Sequence, residues 1–195
     1  MRVLLLTPRP QLLSRAITAC GDAFDVSMAT PDLWPENVDF IISFGYRHVI
    51  KEPQLSLYKN RMINIHISIL PWNRGADPNL WSWIDNTPKG VSIHFITPEL
   101  DKGPVLAQMN VRKWKERETL KSSYDFLNFC AGQLLLLEWS NFRRGTWFEV
   151  PSIGEGSFHK SKDKDAIMER LPLGWGTPVS DVEEVGRKWR KESAS

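Results

Sequence analysis

Short apolar runs of strand length, parted by connections long enough for a helix, constrain this chain more than any other feature of its sequence. Val3-Leu4-Leu5-Leu6 begins as a buried strand, and Leu12, Leu13, Ala16, Ile17 and Cys20 then recur at helical spacing until Gly21 stops the pattern. Phe24-Asp25-Val26-Ser27-Met28-Ala29 alternates as a second strand, and Val38-Asp39-Phe40-Ile41-Ile42-Ser43-Phe44 is a third, closed by Gly45. Residues 62–70 form the next strand, ended by Pro71. Strands joined by helix-length crossovers pair in parallel, so the expected class is α/β, a doubly wound, mostly parallel, Rossmann-like sheet.

Beyond Pro71 the pattern changes. Residues 79–85 read as a short tryptophan-rich helix, and residues 91–96 and 105–111 as two strands of a hairpin-like region. The loop between them, Thr97-Pro98-Glu99-Leu100-Asp101-Lys102-Gly103-Pro104, is shaped by two prolines and a glycine and has Asp101 as its only aspartate. Residues 119–141 predict a long helix capped by Thr119 or Ser122, with an apolar stripe through Phe126, Phe129, Leu134 and Leu137. After Pro151 the chain turns polar and charged. The expected organisation is a catalytic domain over 1–150 and a polar, helical extension over 151–195, ending in a solvated helix pattern from 181 to 195.

Composition narrows the function classes. With 42% hydrophobic residues, 25% charged residues and a formal net charge of +2, the chain reads as soluble and globular, and nucleic acid is not implied as a partner. The run Lys160, Lys162, Lys164 reads as a solvated face. Two cysteines, Cys20 and Cys130, lack metal-ligand spacing and fit reduced core thiols, and no cluster points to a metal. The apolar start is cut off at Thr7-Pro8, too short for a signal peptide or a membrane span, so the expected setting is cytoplasmic with no membrane partner. Nine tryptophans leave room for a surface that stacks on a flat ligand.

In a strand, residues two apart point the same way, so Asn64, His66 and Ser68 share one face and Ile63, Ile65 and Ile67 the other. An isolated Asn-x-His is more often the polar face of a half-exposed strand. Here the pair stands at the carboxyl end of a strand in an open α/β sheet, where such sheets bind ligands, and the shaped turn Pro71-Trp72-Asn73-Arg74-Gly75 follows. At these residues the chain resembles the formyltransferases that use N10-formyltetrahydrofolate, whose members act on glycinamide ribonucleotide, methionyl-tRNA and nucleotide-linked amino sugars. Asn64-Ile65-His66-Ile67-Ser68-Ile69-Leu70-Pro71 with Arg74-Gly75 is similar to that family's Asn-x-His-x-Ser-x-Leu-Pro stretch. The segment from Gly90 through Asp101-Lys102-Gly103-Pro104-Val105 is similar to the strand and loop bearing its catalytic aspartate. The resemblance runs, with decreasing clarity, over residues 38–147.

The resemblance implies a site and a chemistry. A neutral amine attacks the formyl carbon, charge develops on the formyl oxygen, and a proton leaves the attacking nitrogen. Asn64 would donate its amide to that oxygen. His66, held protonated by a carboxylate, would add a charged donor, and Asp101 would be that carboxylate and take up the amine proton, directly or through water. Tyr46, His48, Val49 and Ile50, with Thr97 and Leu100, match positions that hold the folate, although Val49 and Ile50 also suit plain packing at a helix start. His94 reads equally as a supporting partner or a satisfied core histidine and is not counted among the catalysts. A hydrolase using the same residues, or a folate-binding module without catalysis, remains an alternative, whereas the lack of Gly-x-Gly-x-x-Gly after the first strand argues against a dehydrogenase.

The acceptor is expected to be a small-molecule amine. The stretch Thr7-Pro8-Arg9-Pro10-Gln11 replaces the glycine-rich phosphate cradle of glycinamide ribonucleotide enzymes with prolines that lack N–H groups. Little chain follows Pro151 to serve as the RNA-binding domain of a methionyl-tRNA enzyme. By elimination, and because residues 70–78 look most like members acting on nucleotide-linked 4- or 3-amino-deoxysugars, that acceptor is favoured, with Trp72, Asn73 and Arg74 lining its side of the crevice and a homodimer allowed. Trp72 equally suits a place in the core.

Overall fold

The computed structural model describes residues 1–112 and 118–193. The chain runs β1 (Arg2–Leu6), α1 (Pro10–Thr18), β2 (Ala23–Val26), β3 (Phe40–Ser43), α2 (Gln54–Leu57), β4 (Met62–His66), β5 (Arg74–Gly75), α3 (Pro78–Ile84), β6 (Gly90–Phe95), β7 (Val105–Asn110), α4 (Leu120–Arg144), β8 (Phe158–His159), α5 (Asp165–Met168) and α6 (Val179–Ser193). Six strands form the main sheet in the order β2-β1-β3-β4-β6-β7. The strands β1 to β4 pair in parallel, as the crossover lengths predict, and β6 and β7 join antiparallel on the far side.

Both faces of the sheet are covered, which is why Val3–Leu6 of β1 and Phe40–Ile42 of β3 are continuously apolar rather than alternating. One face packs Val3, Leu5, Ile42, Ile63 and Ile65 against α1 and α4, through Leu13, Ile17, Leu127, Ala131, Leu135 and Trp139. The other packs Leu4, Leu6, Ile41 and Met62 with Ile50, Tyr46 and Ile96. Each fully buried aliphatic side chain contributes roughly 1.5–3 kcal/mol by leaving water. Under this core lies a buried carboxylate: Asp22 accepts from Trp139 Nε1 at 2.9 Å and from Arg143 Nη2 at 2.9 Å, tying α4 to the turn before β2.

Two expectations need correction. The helix α4 is capped as the sequence predicts, Thr119 and Ser122 exchanging side-chain and backbone hydrogen bonds, but of the predicted stripe only Leu134 is buried. Phe126, Phe129 and Leu137 are 43%, 53% and 67% exposed, and the buried face runs instead through Leu127, Ala131, Leu135, Trp139 and Phe142. The strand β4 also stops at His66, short of residue 70. Ser68 leaves the ladder and donates its hydroxyl to the Trp72 carbonyl at 2.7 Å, so it closes the following turn rather than sharing the face of Asn64 and His66.

The polar extension is folded onto the rest. Leu80, Trp81, Trp83 and Ile84 of α3 bury against Ile167, Leu171, Val179 and Val182, so α6 has one apolar face where a solvated helix is expected from the sequence; residues 194–195 lie outside the described residues. Among the described residues no helix is long and apolar enough to cross a membrane.

Candidate functional site

Strand geometry brings the polar residues together. Asn64 and His66 alternate onto one face of β4, and the antiparallel register of β4 with β6 sets His94 directly opposite Asn64. The loop between β6 and β7 then folds back over that face and delivers Asp101 in a left-handed conformation, φ 52°. Gly103 permits this return, since a Cβ there would strike the Phe95 carbonyl. Asp101 Oδ1 lies 3.4 Å from Asn64 Nδ2 and 3.5 Å from His94 Nε2, and Oδ2 lies 3.8 Å from His66 Nδ1. Oδ2 also accepts from the backbone N–H of Gly75 at 2.8 Å.

The tautomers follow from the acceptors. The Asn73 carbonyl can only accept, so His66 Nε2 carries a proton and donates to it at 2.8 Å, leaving Nδ1 toward Asp101. The Phe95 carbonyl likewise takes a proton from His94 Nδ1 at 2.9 Å, and His94 Nε2 stands 3.2 Å from the Asn64 amide. Burial pushes the Asp101 carboxyl up, but the charge on His66, the hydrogen bond and charge of His94 and the Gly75 N–H outweigh it and hold the group well below the usual carboxylate range. Asp101 is thus an ionised, buried carboxylate facing two imidazoles.

The turn after β4 is clamped by the extension. β5 and β8 pair in parallel, Arg74 opposite Phe158 and Gly75 opposite His159. Gly75 has φ +88°, and a Cβ there would collide with the His159 carbonyl. Ser157 Oγ accepts from Asn73 N at 2.8 Å and donates to Asn73 Oδ1 at 3.2 Å, while Asn73 Nδ2 donates to Thr87 Oγ1 at 2.7 Å. The His159 ring stacks on Trp81 at 3.9 Å and pairs with Asp85 at 2.8 Å.

These contacts change the expected acceptor wall. Asn73 is fully buried and its side chain is occupied by Thr87 and Ser157, so it braces the turn instead of lining a crevice. The Trp72 indole lies against Gly154, half-buried, and Arg74 Nε reaches the Ser157 carbonyl at 3.4 Å. Of the residues matched to folate, Ile50 is buried in the core with Tyr46 and Ile96, which joins the turn after β3 to the start of the Asp101 loop. Val49 and Leu100 stand 66% and 57% exposed from those two segments, His48 packs its ring against Tyr46 at 5.2 Å, and Thr97 Oγ1 donates to the Glu99 carbonyl.

Sequence reasoning undervalued His94 and missed Ser157 and Thr87. His94 carried a legible signal, the outer position of a strand leading into the Asp101 loop. Ser157 carried none, because its partner is 84 residues away.

Known proteins resemble this chain in sequence and in fold. Residues 26–137 match the formyl transferase family. The chain is 31% identical over 156 residues to the bifunctional polymyxin resistance protein ArnA of Wigglesworthia glossinidia brevipalpis, covering 78% of this chain and 23% of that protein. It is 30% identical over 140 residues to dTDP-4-amino-4,6-dideoxyglucose formyltransferase of Mycobacterium tuberculosis, covering 71% of this chain and 57% of that enzyme. The chain therefore spans little more than half the length of that mycobacterial relative and about a quarter of ArnA. The crystal structure of the formyltransferase PseJ from Anoxybacillus kamchatkensis, in complex with UDP-4,6-dideoxy-4-formamido-L-AltNAc and tetrahydrofolate, superposes with a TM-score of 0.86 at 39% identity, covering 93% of this chain and 97% of that one. With the family's model matched from the end of β2 into α4, over more than half of its residues, this chain belongs to the formyl transferase family.

Proposed function

We propose that this protein transfers the formyl group of N10-formyltetrahydrofolate to a primary amine on a nucleotide-linked amino-deoxysugar, in the cytoplasm. The observation that carries the reading is the convergence of Asn64, His66 and an ionised Asp101 at one point of the sheet, in a fold like that of PseJ. The residues suit a folate: Val49 and Leu100 offer exposed apolar surface on two segments that meet through Ile50, Tyr46 and Ile96. The bound donor would supply the formyl carbon and, as its N10–carbon bond breaks, would take up at N10 the proton that the acceptor nitrogen loses through Asp101 and leave as tetrahydrofolate.

Asn64 turns its amide N–H toward the formyl oxygen, and the protonated Nδ1 of His66 adds a charged donor as negative charge develops there. Nε2 of His66 stays on the Asn73 carbonyl, which fixes the plane of the ring. Asp101 keeps both histidines oriented and takes the proton that the acceptor nitrogen loses. A carboxylate held so low is a weak base for a free ammonium, but the nitrogen's proton becomes strongly acidic as the new C–N bond forms, and transfer to Asp101 is then downhill. Residues 1–150 act as the catalytic unit, with 151–195 as an extension that braces it; a homodimer is compatible with this reading.

The test is an acceptor screen with N10-formyltetrahydrofolate and a panel of nucleotide-linked amino sugars, glycinamide ribonucleotide and no acceptor, following tetrahydrofolate release and product mass beside Asp101→Asn. A formylated sugar nucleotide that disappears in the variant supports the proposal. Formate release without acceptor would instead make the protein a hydrolase.

A further inference from the structure

The extension meets the candidate site at Gly75, where β5 pairs with β8. Four groups surround the Asp101 carboxylate, and the Gly75 N–H is the nearest of them: it donates to Oδ2 at 2.8 Å, whereas Asn64 Nδ2, His94 Nε2 and His66 Nδ1 stand 3.4, 3.5 and 3.8 Å away. A charge-assisted bond of the shorter length fixes a carboxylate, and contacts of the longer lengths do so poorly. The orientation of Asp101 is therefore set by where the chain holds Gly75.

Gly75 is held from outside the main sheet. Its neighbours bond to the extension on either side, Arg74 N to the Ser157 carbonyl at 3.0 Å and Ala76 N to the His159 carbonyl at 2.9 Å. A ladder of two residues a side is too short to stand by itself, and the His159 side chain supplies the anchor. Its ring lies flat on the Trp81 indole, with centroids 3.9 Å apart and planes 3° from parallel, and its Nε2 pairs with Asp85 Oδ2 at 2.8 Å. Both partners belong to α3 and its end. Trp81 is buried among Leu80, Ile84, Ile167 and Leu171, and Asp85, which closes the helix, donates its N–H to the Trp81 carbonyl at 2.8 Å. His159 is thus gripped on a ring face and on a ring nitrogen by one packed helix. Of the four histidines in the chain, His66 and His94 face Asp101 and His48 lies in the turn matched to folate, whereas the chemistry above assigns nothing to His159.

We infer that His159 is a positioning residue for formyl transfer: pinned by Trp81 and Asp85, it holds Gly75 so that the Gly75 N–H keeps Asp101 turned toward His66 and His94. The inference rests on the reaction proposed above and deepens it. Two residues apart in the extension, Ser157 and His159 then serve the two reacting partners separately. Ser157 reaches Asn73, whose carbonyl orients His66, and His159 secures Gly75, whose N–H orients Asp101.

The experiment is amide hydrogen exchange of the ¹⁵N-labelled full-length protein, followed by NMR in wild type, His159→Ala, His159→Phe and His159→Gln, with thermal melts and with steady-state formyl transfer measured on the same samples. In His159→Ala the amides of Arg74, Gly75 and Ala76 are expected to accelerate at least about tenfold more than those of Leu4 and Ile42 in the central strands, whose exchange registers overall stability. The kcat should fall roughly tenfold to a hundredfold with the KM for folate unchanged. His159→Phe, which keeps a flat ring for Trp81, and His159→Gln, which keeps an N–H for Asp85, should each recover part of both effects. Equal acceleration at Leu4 and Ile42, the mark of a merely structural role, or wild-type exchange at Gly75 would overturn the inference. So would a freed Gly75 amide with kcat unchanged, an outcome that leaves formyl transfer itself intact. If His159→Ala does not fold, wild-type exchange and kcat in both His159→Phe and His159→Gln overturn it instead. The exchange pattern needs no turnover, so the hold of His159 on Gly75 is decided even if no amino sugar is formylated.

Discussion

Ser157→Ala tests whether the extension governs the chemistry from outside the sheet. The substitution deletes one hydroxyl and leaves the backbone bonds of the clamp, Arg74 N to the Ser157 carbonyl and Ser157 N to the Pro71 carbonyl, in place. What it removes is the acceptor for Asn73 N at 2.8 Å and the donor to Asn73 Oδ1 at 3.2 Å. Asn73 is fully buried, so its N–H is left without a partner, at about 1–3 kcal/mol. For a chain of this size a loss of about 2 kcal/mol corresponds to roughly 4–8 °C in Tm. The same residue's carbonyl anchors His66 Nε2, so the imidazole is expected to lose its fixed orientation. A displacement of the order of 1 Å at a positioned group costs up to about 10²-fold in rate, and kcat should therefore fall between tenfold and a hundredfold with the KM for folate unchanged. The assay is steady-state tetrahydrofolate release well below the variant's Tm, with Ser157→Thr, which retains the hydroxyl, recovering part of the rate. Full activity in a folded, destabilised Ser157→Ala would show that β4 alone positions His66.

Asp101→Asn should lower kcat by roughly 10²–10⁴ while leaving folate binding measurable by titration. Because the Asp101 carboxyl is held below its unfolded value of about 3.9, its contribution to stability is fully present above that value and is lost as pH falls through the lower folded one. The stability difference between wild type and Asp101→Asn in urea should therefore be flat from pH 7 to pH 5 and shrink only below about pH 4; a decline already between 7 and 5 would refute a depressed Asp101 carboxyl. Asp22→Asn should cost about 3 kcal/mol in chemical denaturation, since the buried Trp139 indole and Arg143 lose a charged acceptor in the core. Gly103→Ala should give little folded protein by circular dichroism, as no shift of a flexible side chain relieves a clash with the Phe95 carbonyl.

The parts of the molecule legible in the sequence are those governed by local periodicity. Apolar runs revealed β1, β3 and β6, and the two-residue period aligned Asn64 with His66. Asp101 could be read because its loop, which holds one aspartate, resembles the loop that bears the family's catalytic aspartate. Register is different: that Asn64 faces His94 depends on how β4 slides against β6, which hydrogen bonds across the sheet decide. Face selection failed in α4 because Leu134-Leu135-Leu136-Leu137 is apolar all round, so a stripe through Phe126, Phe129 and Leu137 and one through Leu127, Leu135 and Trp139 fit the spacing equally, and only the sheet beneath chooses. Asn73 misled for a related reason, as its place in a shaped turn said nothing of Thr87 and Ser157 closing over it.

The pairing of Arg74–Gly75 with Phe158–His159 also orders events in time. A ribosome adds about 5–20 residues per second, so every strand of the main sheet has been synthesised well before Ser157. The nascent chain can complete its sheet and assemble Asn64, His94 and Asp101 in outline while the turn that aims His66 still waits for its clasp. Synthesis arrested after α4 would release a product with the outline of the fold and a loose imidazole, so the aim of His66 depends on residues made after the sheet that carries it.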